Sequence, residues 1–197
     1  ETSTANPQTH YSMNKLQIEN DLREISYNNF DPIALRFATV FGLSPRIRFD
    51  VVINMLVGMG YVHGKIILNS DGQSWRPHLH ILDLCKAVAG AIELDNHGNG
   101  LQILNVGSDE NNMKIIDIAK IVQCAIPGCE LRFLSEDPSL DKAGLIKDRK
   151  VKDAAKDTRT YKVSFEKIKR VMPAFYCEWS VERGVRHMVD AFHDVKL

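Results

Sequence analysis

The fold is indicated first by the stretch Pro32-Ile33-Ala34-Leu35-Arg36-Phe37-Ala38-Thr39-Val40, which is apolar apart from one arginine and one threonine. A nearly continuous apolar run of this length predicts a mostly buried strand. Strands of this kind are typical of parallel sheets, in which helices cover both faces. The run ends at a loop that begins with Phe41 and Gly42. We therefore expect a parallel sheet around residues 32–40.

Helical and extended patterns alternate on both sides of this stretch. Helices are predicted at residues 11–25, 49–62, 81–94, 113–125, 164–171 and 181–195, and short strands at residues 65–69, 76–79, 102–106 and 130–134. Alternation of this kind indicates an α/β protein with parallel pairing and four or five strands. Residues 135–160 are charged, poor in large apolar side chains and long for a connection, which predicts a mobile or ligand-covered loop.

Composition argues against several classes of protein. Lysine and arginine together number 25, as do aspartate and glutamate, so no net charge attracts nucleic acid or an anionic membrane. No apolar segment approaches the roughly 20 residues that span a bilayer. The four cysteines show neither a C-x-x-C pair nor metal-ligand spacing, which favours reduced thiols in a cytoplasmic protein. The first residues lack both a methionine and a signal-peptide pattern, so we expect a fragment or a trimmed chain.

Tyr11 and Lys15 are the first candidates for chemistry. On a helix, residues four apart lie one above the other, so the phenol and the ammonium would share one face. A fixed cation beside a phenol favours the phenolate, which makes Tyr11 a candidate general acid/base for a sugar or alcohol hydroxyl. The same spacing also occurs where a tyrosine packs at the margin of a core beside a solvated lysine. The pair alone therefore leaves both interpretations open.

A second cluster, His78, His80 and Asp83, invites a metal interpretation through its spacing. Alternate residues on an extended stretch are more often sheet side chains whose polar atoms are satisfied by neighbouring groups. We therefore predict that these residues are structural and that the protein holds no metal.

Several segments taken together, in their order along the chain, identify a family. They are Tyr11-x-x-x-Lys15, Leu35-Arg36-Phe37-Ala38-Thr39-Val40-Phe41-Gly42, Ser44-Pro45-Arg46-x-Arg48-x-Asp50 with Asn54, Asp71-Gly72, Trp75-Arg76-Pro77-His78-x-His80-x-x-Asp83, Asn105-Val106-Gly107 and Arg159-Thr160-Tyr161-Lys162-Val163. This set resembles the C-terminal part of extended short-chain dehydrogenases/reductases, the NAD-dependent nucleotide-sugar epimerase/dehydratase family. The resemblance runs through essentially the whole chain.

The resemblance implies an α/β fold in two parts. Residues 1–62 would be the C-terminal remnant of a NAD-binding domain, a partial Rossmann-type parallel sheet with the catalytic helix. Residues 63–197 would mainly form a small α/β lobe that binds the nucleotide sugar, with some elements returning to the Rossmann sheet. The Gly-rich NAD-binding turn of the family, and a Ser/Thr that precedes its tyrosine, lie outside this chain.

By the same resemblance, Tyr11 is the catalytic tyrosine and Lys15 holds the ribose hydroxyls of the nicotinamide nucleotide. The cofactor would be NAD or NADP, bound by the full-length protein. The residues implied to bind it are Tyr11, Lys15, Phe37, Ala38, Thr39 and Val40. Many family members carry asparagine where this chain has Thr39, so one hydroxyl replaces an amide at that position.

The implied substrate is a nucleotide-diphosphate sugar, whose diphosphate the family binds with arginines. A guanidinium suits this task because its planar fork binds phosphate oxygens in a bidentate way. Arg76 occupies the position of one such arginine, with an ion pair to Asp83 as the alternative, and Arg159 matches a second. The other implied substrate contacts are Thr39, Arg46, Arg48 and Asn54, although a solvated basic loop would also explain the two arginines.

The resemblance implies NAD(P)-dependent epimerisation of a nucleotide-linked sugar, with 4,6-dehydration and 4-keto reduction equally open. Nucleic acid and membranes are not expected partners, whereas a homodimer is, through the helix that carries Tyr11. The alternative is a non-catalytic module, derived from the family, that binds a nucleotide sugar or mediates dimerisation.

Overall fold

The computed structural model describes residues 1–26, 30–135 and 160–195 of the chain. The helices are α1 His10–Glu24, α2 Val52–His63, α3 Ile81–Glu93, α4 Ile115–Ala125, α5 Glu166–Val171 and α6 Val181–Val195. The strands are β1 Ile33–Phe37, β2 Thr39–Phe41, β3 Lys65–Leu68, β4 Trp75–His80, β5 Gln102–Val106, β6 Asn112–Lys114 and β7 Glu130–Phe133. The predicted helices and the four short predicted strands are present, with shifts of a few residues at their ends.

Parallel pairing dominates the sheets. Strand β1 pairs in parallel with β5, β3 with β7, and β2 with β4, while β6 adds to the other edge of β4 in the antiparallel sense. The α/β class with parallel pairing is therefore confirmed. The described residues contain seven strands, more than the four or five expected, because residues 32–40 form two strands and β6 was predicted as the start of α4.

The stretch at residues 32–40 is two strands, so the prediction of one continuous strand is wrong. The backbone N–H of Ala38 donates to the carbonyl of Val106 at 3.0 Å, which ends the pairing of β1 with β5. One residue later Thr39 pairs with His78 of β4, so the chain leaves one sheet at Phe37 and joins another. Ala38 is nearly fully buried at this crossing.

The described residues form two apolar cores. The first gathers Phe41 with buried residues of β3, α2, α4 and α6, such as Leu56, Ile118 and Val185. The second gathers Leu79 with Leu104 of β5 and Phe165, beside β1, α3 and α5. Phe41 and Leu79 belong to paired strands, so β2 and β4 join the two cores. The division of the chain at residue 62 stays a prediction.

Helix α1 differs from the other long helices because none of its side chains is buried. Its start is set by a capping box, in which Thr9 Oγ1 accepts from the backbone N–H of Ser12 at 3.1 Å and Ser12 Oγ accepts from that of Thr9 at 3.0 Å. Among the helices of the described ranges, none is both long enough and apolar enough to traverse a bilayer. The predicted loop at 135–160 falls outside the described residues, except for its two end residues.

Candidate active site

The first part of the site is the exposed face of α1. The capping box places Tyr11 in the first turn and Lys15 one turn later, and the Lys15 Nζ lies 5.5 Å from the centre of the Tyr11 ring. Tyr11 is 73% exposed, so it does not pack against a core within the described residues. The predicted sharing of one helix face is confirmed, and the interpretation of Tyr11 as a core-margin residue is not supported.

An ion pair between two partly buried side chains links α1 to β1. Arg36 of β1 donates from Nε and Nη2 to the two carboxylate oxygens of Glu19, at 2.7 and 2.5 Å. The hydrogen bond to Glu19 is the main reason why the pKa of Arg36 is raised. The Glu19 side chain is only 13% exposed, and a bidentate pair of this kind restricts orientation as well as distance. Tyr11 and Lys15 are thus carried by a helix whose position relative to the sheet is set.

The second part of the site is a cavity of about 280 Å³ where β2 ends. Of the predicted residues it brings together Val40, Arg46, Arg48 and Asn54; its other lining residues are Phe41, Gly42, Ser44, Val51 and Ile81. Gly42 has a φ of 111°, and a Cβ there would lie 2.6 Å from Nε2 of His80. Only glycine therefore lets the loop approach β4 this closely. Arg76 does not line this cavity.

Asn54 holds the loop that forms one wall of the cavity. Its Oδ1 accepts from the backbone N–H of Gly42 at 3.0 Å, and its Nδ2 donates to the carbonyl of Arg48 at 2.9 Å. The side chain is almost fully buried, so its amide supports the backbone of residues 42–48. A direct contact between Asn54 and a nucleotide stays a prediction.

The two loop arginines differ in their partners. Arg48 makes a bidentate pair with Asp50, at 3.0 and 2.7 Å, and this hydrogen bond is the main cause of its raised pKa. Arg46 is exposed at the cavity mouth. Of the two, only Arg48 has an ion-pair partner among the described residues.

Arg76 lies on β4 and contacts an aromatic ring. Its Nη1 donates to the carbonyl of Trp75 at 2.8 Å, and its guanidinium carbon lies 5.2 Å from the centre of the Tyr161 ring. The alternative of an ion pair with Asp83 is wrong: the two Asp83 oxygens accept the backbone N–H groups of Glu178 and Trp179, both at 3.0 Å. Arg159 lies outside the described residues.

The two histidines of β4 are fully buried. Nδ1 of His80 accepts from the backbone N–H of Leu82 at 3.3 Å, and its ring stacks on Trp179 with centres 4.1 Å apart. Within the described residues, neither nitrogen of His78 has a hydrogen-bond partner, nor does Nε2 of His80. The expectation that neighbours satisfy these side chains is therefore wrong for three of the four nitrogens. In the same ranges, no group of three or more His, Cys, Asp or Glu side chains could hold a metal ion.

The comparisons with known proteins identify a family. A model of the NAD dependent epimerase/dehydratase family matches residues 1–107 of the 197. The chain belongs to this family. The matched region of this family member includes α1 with Tyr11 and Lys15, the crossing at residues 37–40, the cavity and Arg76. The resemblance inferred from the sequence is thus confirmed.

Solved structures of family enzymes share the fold. The UDP-glucose 4-epimerase of Thermotoga maritima, with UDP-glucose, is 19% identical and has a TM-score of 0.73. The match covers 98% of this chain and 56% of the epimerase chain. The dTDP-glucose 4,6-dehydratase of Bacillus anthracis, with NAD, is 16% identical and has a TM-score of 0.71. The match covers 98% of this chain and 55% of the dehydratase chain. MoeE5, in complex with UDP-glucuronic acid and NAD, is 18% identical and has a TM-score of 0.72. The match covers 100% of this chain and 59% of the MoeE5 chain. The chain thus spans less than two thirds of these proteins, and its Rossmann-type fold is confirmed.

Sequence reasoning missed the residues that hold the site residues in place. Glu19 pairs with Arg36, Tyr161 contacts the guanidinium of Arg76, and Asn112 is hydrogen-bonded to the backbone of Val163, in each case across a long distance in the sequence. Tyr161 appeared only as part of a family segment, and no local pattern marks Asn112. The short spacing of Arg48 and Asp50 is the one signal that could have revealed a pair beforehand.

Proposed function

We propose that the protein carrying this chain interconverts nucleotide-linked sugars by NAD(P)-dependent oxidation and reduction, as an epimerase or a related 4,6-dehydratase or 4-keto reductase. The observation that carries the proposal is the Tyr11–Lys15 pair, one turn apart on the solvent-open face of α1, inside the region matched to the family. A tyrosine held beside a lysine and open to a ligand suits proton exchange with a sugar hydroxyl.

The residues present fit the nicotinamide end of the cofactor. In open α/β sheets, ligands bind outside the carboxyl ends of the strands. Phe37 is the last residue of β1 and residues 38–40 follow it, and within the described residues β5 is the only strand paired with β1. We infer that Lys15 donates to the ribose hydroxyls and that Phe37, Ala38, Thr39 and Val40 lie beside the nicotinamide. NAD or NADP, when bound, accepts and returns the hydride.

Tyr11 would act as the acid/base of the reaction. As a phenolate it would accept the proton of the sugar C4 hydroxyl while that carbon is oxidised, and it would return the proton when the carbonyl is reduced. Glu19 and Arg36 would keep this face of α1 in position during both steps.

Basic and polar residues would bind the nucleotide diphosphate. Arg46 lies at the mouth of the cavity, Thr39 offers one hydroxyl at the start of β2, and Asn54 keeps the loop in shape. Arg76 would bind phosphate oxygens with its planar fork, and Arg159 would add a second guanidinium. We expect Arg48 to contribute less, since Asp50 neutralises it.

The proposal is tested by incubating the protein with NAD or NADP and with UDP-, dTDP- and GDP-linked hexoses. NMR of the sugar anomeric protons would follow the reaction. An epimer, a 4-keto-6-deoxy sugar or a reduced 4-keto sugar is the expected product and would distinguish the three reactions. Binding of a nucleotide sugar without any product would instead support the non-catalytic alternative.

We predict that Arg76→Lys and Arg76→Ala each weaken nucleotide-sugar binding about tenfold to a hundredfold, and that Arg159→Lys and Arg159→Ala act in the same direction. Loss of a charge-assisted hydrogen bond costs roughly 1.5–3 kcal/mol, and lysine keeps the charge but lacks the fork. Calorimetry measures the dissociation constants. Arg186→Ala is the matched control because Arg186 is an exposed arginine of α6 paired with Glu182. Unchanged affinity in Arg76→Ala would place the diphosphate elsewhere.

We also predict that the protein is a homodimer whose interface includes α1. Met13, Ile18 and Ile25 of this region are each about half exposed, so they offer apolar surface that a second copy would cover. Ile18→Glu should therefore shift the sedimentation coefficient towards the monomer. Val62→Glu, at an exposed apolar position of α2, should leave it unchanged. A monomer before any substitution would contradict the prediction.

A further inference from the structure

The residues that follow Arg159 are attached to the start of β4. The backbone N–H of Trp75 donates to Thr160 Oγ1 at 3.0 Å, and the backbone N–H of Tyr161 donates to the carbonyl of Trp75 at 3.3 Å. Strand β2 pairs only with residues 78–80 of β4. Residues 160–161 therefore supply partners to the part of β4 that β2 does not reach.

Asn112 of β6 makes a second attachment two residues further on. Its Oδ1 accepts from the backbone N–H of Val163 at 2.9 Å, and its Nδ2 donates to the carbonyl of Val163 at 2.9 Å. One side-chain amide thus satisfies both backbone groups of Val163, as a neighbouring strand would. Tyr161 lies between the two attachments, so its backbone position is restricted from both sides.

Tyr161 and Arg76 are both hydrogen-bonded to the carbonyl oxygen of Trp75. This oxygen accepts both from the Tyr161 backbone N–H and from Nη1 of Arg76. The guanidinium carbon lies 5.2 Å from the ring centre, within the range of a cation–π contact. The contact with the ring and the hydrogen bond to the carbonyl together restrict where the guanidinium can lie, and this group binds phosphate oxygens through its planar fork.

We propose that Tyr161 and Asn112 are positioning residues for Arg76, which preset its guanidinium for the substrate diphosphate. The inference rests on the proposed function, because it assigns these roles within the same nucleotide-sugar site. A side chain held in its binding orientation loses less conformational freedom when the ligand arrives. Removing the support should therefore weaken binding about threefold to tenfold without removing a ligand contact.

The test is a double-mutant cycle in the protein that carries this chain, with UDP and dTDP as calorimetric probes. Tyr161→Leu is expected to weaken binding about threefold to tenfold, whereas Tyr161→Phe keeps the ring and should bind as the unchanged protein does. Asn112→Asp keeps the acceptor but loses the donor to Val163, so it should weaken binding to a similar extent. In an Arg76→Ala background, Tyr161→Leu should have no further effect, because its action passes through Arg76.

The outcomes separate this inference from the proposed function. Tyr161 is 48% exposed, so its replacement leaves the cores intact, and thermal unfolding checks this. If the nucleotides bind but Tyr161→Leu is without effect, or is equally harmful without Arg76, the positioning role is overturned and the nucleotide site stands. If neither nucleotide binds the unchanged protein, the proposed function fails and the inference fails with it.

Discussion

Replacing Tyr11 with phenylalanine is expected to lower kcat by about 10²–10⁴ while leaving the dissociation constant of the nucleotide sugar nearly unchanged. A positioned acid/base contributes a rate factor of about this size, and the substitution removes only the hydroxyl that exchanges the proton. The ring is 73% exposed and, within the described residues, its hydroxyl makes no hydrogen bond, so the stability of the protein should not change. Turnover and binding are measured separately, by NMR of the product and by calorimetry.

Tyr176→Phe is the matched control for this experiment. Tyr176 is 67% exposed and has Lys86 Nζ at 6.0 Å from its ring centre, so it reproduces the tyrosine–lysine contact away from α1. The control should retain full turnover. Near-normal turnover in Tyr11→Phe would return Tyr11 to a purely structural role and would remove the main support for the proposed mechanism.

Elements with strong local signals could be predicted from the sequence. Helix α6 and strand β5 begin and end where the patterns placed them. For α6 the reason is a local one: Ser180 Oγ accepts from the backbone N–H of Arg183 at 3.1 Å, which caps the helix start. The apolar stripe of α6 then packs against α2 and α4 with the spacing that the sequence shows.

The break at Ala38 could not be predicted, because no residue within the run signals it. The break results from partners that are distant in sequence: β1 pairs with β5 and β2 pairs with β4, and Ala38 is bonded to Val106. An apolar run reports burial but not the strand it pairs with. Strand β6 was missed for a related reason, since its residues continue directly into α4 and only their pairing with β4 makes them extended.

The same limit applies to the site. The family pattern identified Tyr11, Lys15 and Arg76 as candidates, but it carried no information on what surrounds each of them. The partner of Arg76, Tyr161, is far away in the sequence, and the oxygens of Asp83 bond to the backbone of Glu178 and Trp179. Such contacts depend on how the two sheets are joined, which local spacing does not encode.

We expect the free energy of unfolding to decrease as the pH is lowered from about 6.5 to about 4, partly because of His78. Burial, together with the positive charge of Arg76, lowers the pKa of His78 to about 4. Burial, with His187 and Arg183, lowers the pKa of His80 to about 4 as well. An unfolded histidine titrates at about 6.5. Between these two values the unfolded chain therefore binds more protons than the folded one.

The sign and size of the effect follow from this difference. The contribution of His78 to the free energy of unfolding is fully present above pH 6.5. It falls as protons bind the unfolded chain, and it levels off once the folded histidine is also protonated near pH 4. At about 1.4 kcal/mol for each pH unit, His78 accounts for a loss of about 3 kcal/mol. Carboxylates titrate in the lower part of the same range, so the contribution of His78 must be isolated by a variant.

His78→Phe isolates this contribution. Phenylalanine keeps an aromatic ring beside Phe41, whose ring centre is 6.4 Å from that of His78, and it removes the two buried nitrogens without partners within the described residues. At pH 7 the variant should be at least as stable as the unchanged protein, since an unsatisfied buried polar group is unfavourable. At pH 4 the variant should be the more stable of the two by a further amount of about 3 kcal/mol.

Denaturant unfolding at a series of pH values measures both curves. The exposed His63 offers the control: His63→Gln removes a histidine but no buried ring, so its curve should run parallel to that of the unchanged protein. If the curve of His78→Phe also runs parallel, His78 is protonated alike in the folded and unfolded chains. The imidazole would then have a partner for its proton in the folded protein, and the buried face of β4 would have to accommodate a charge.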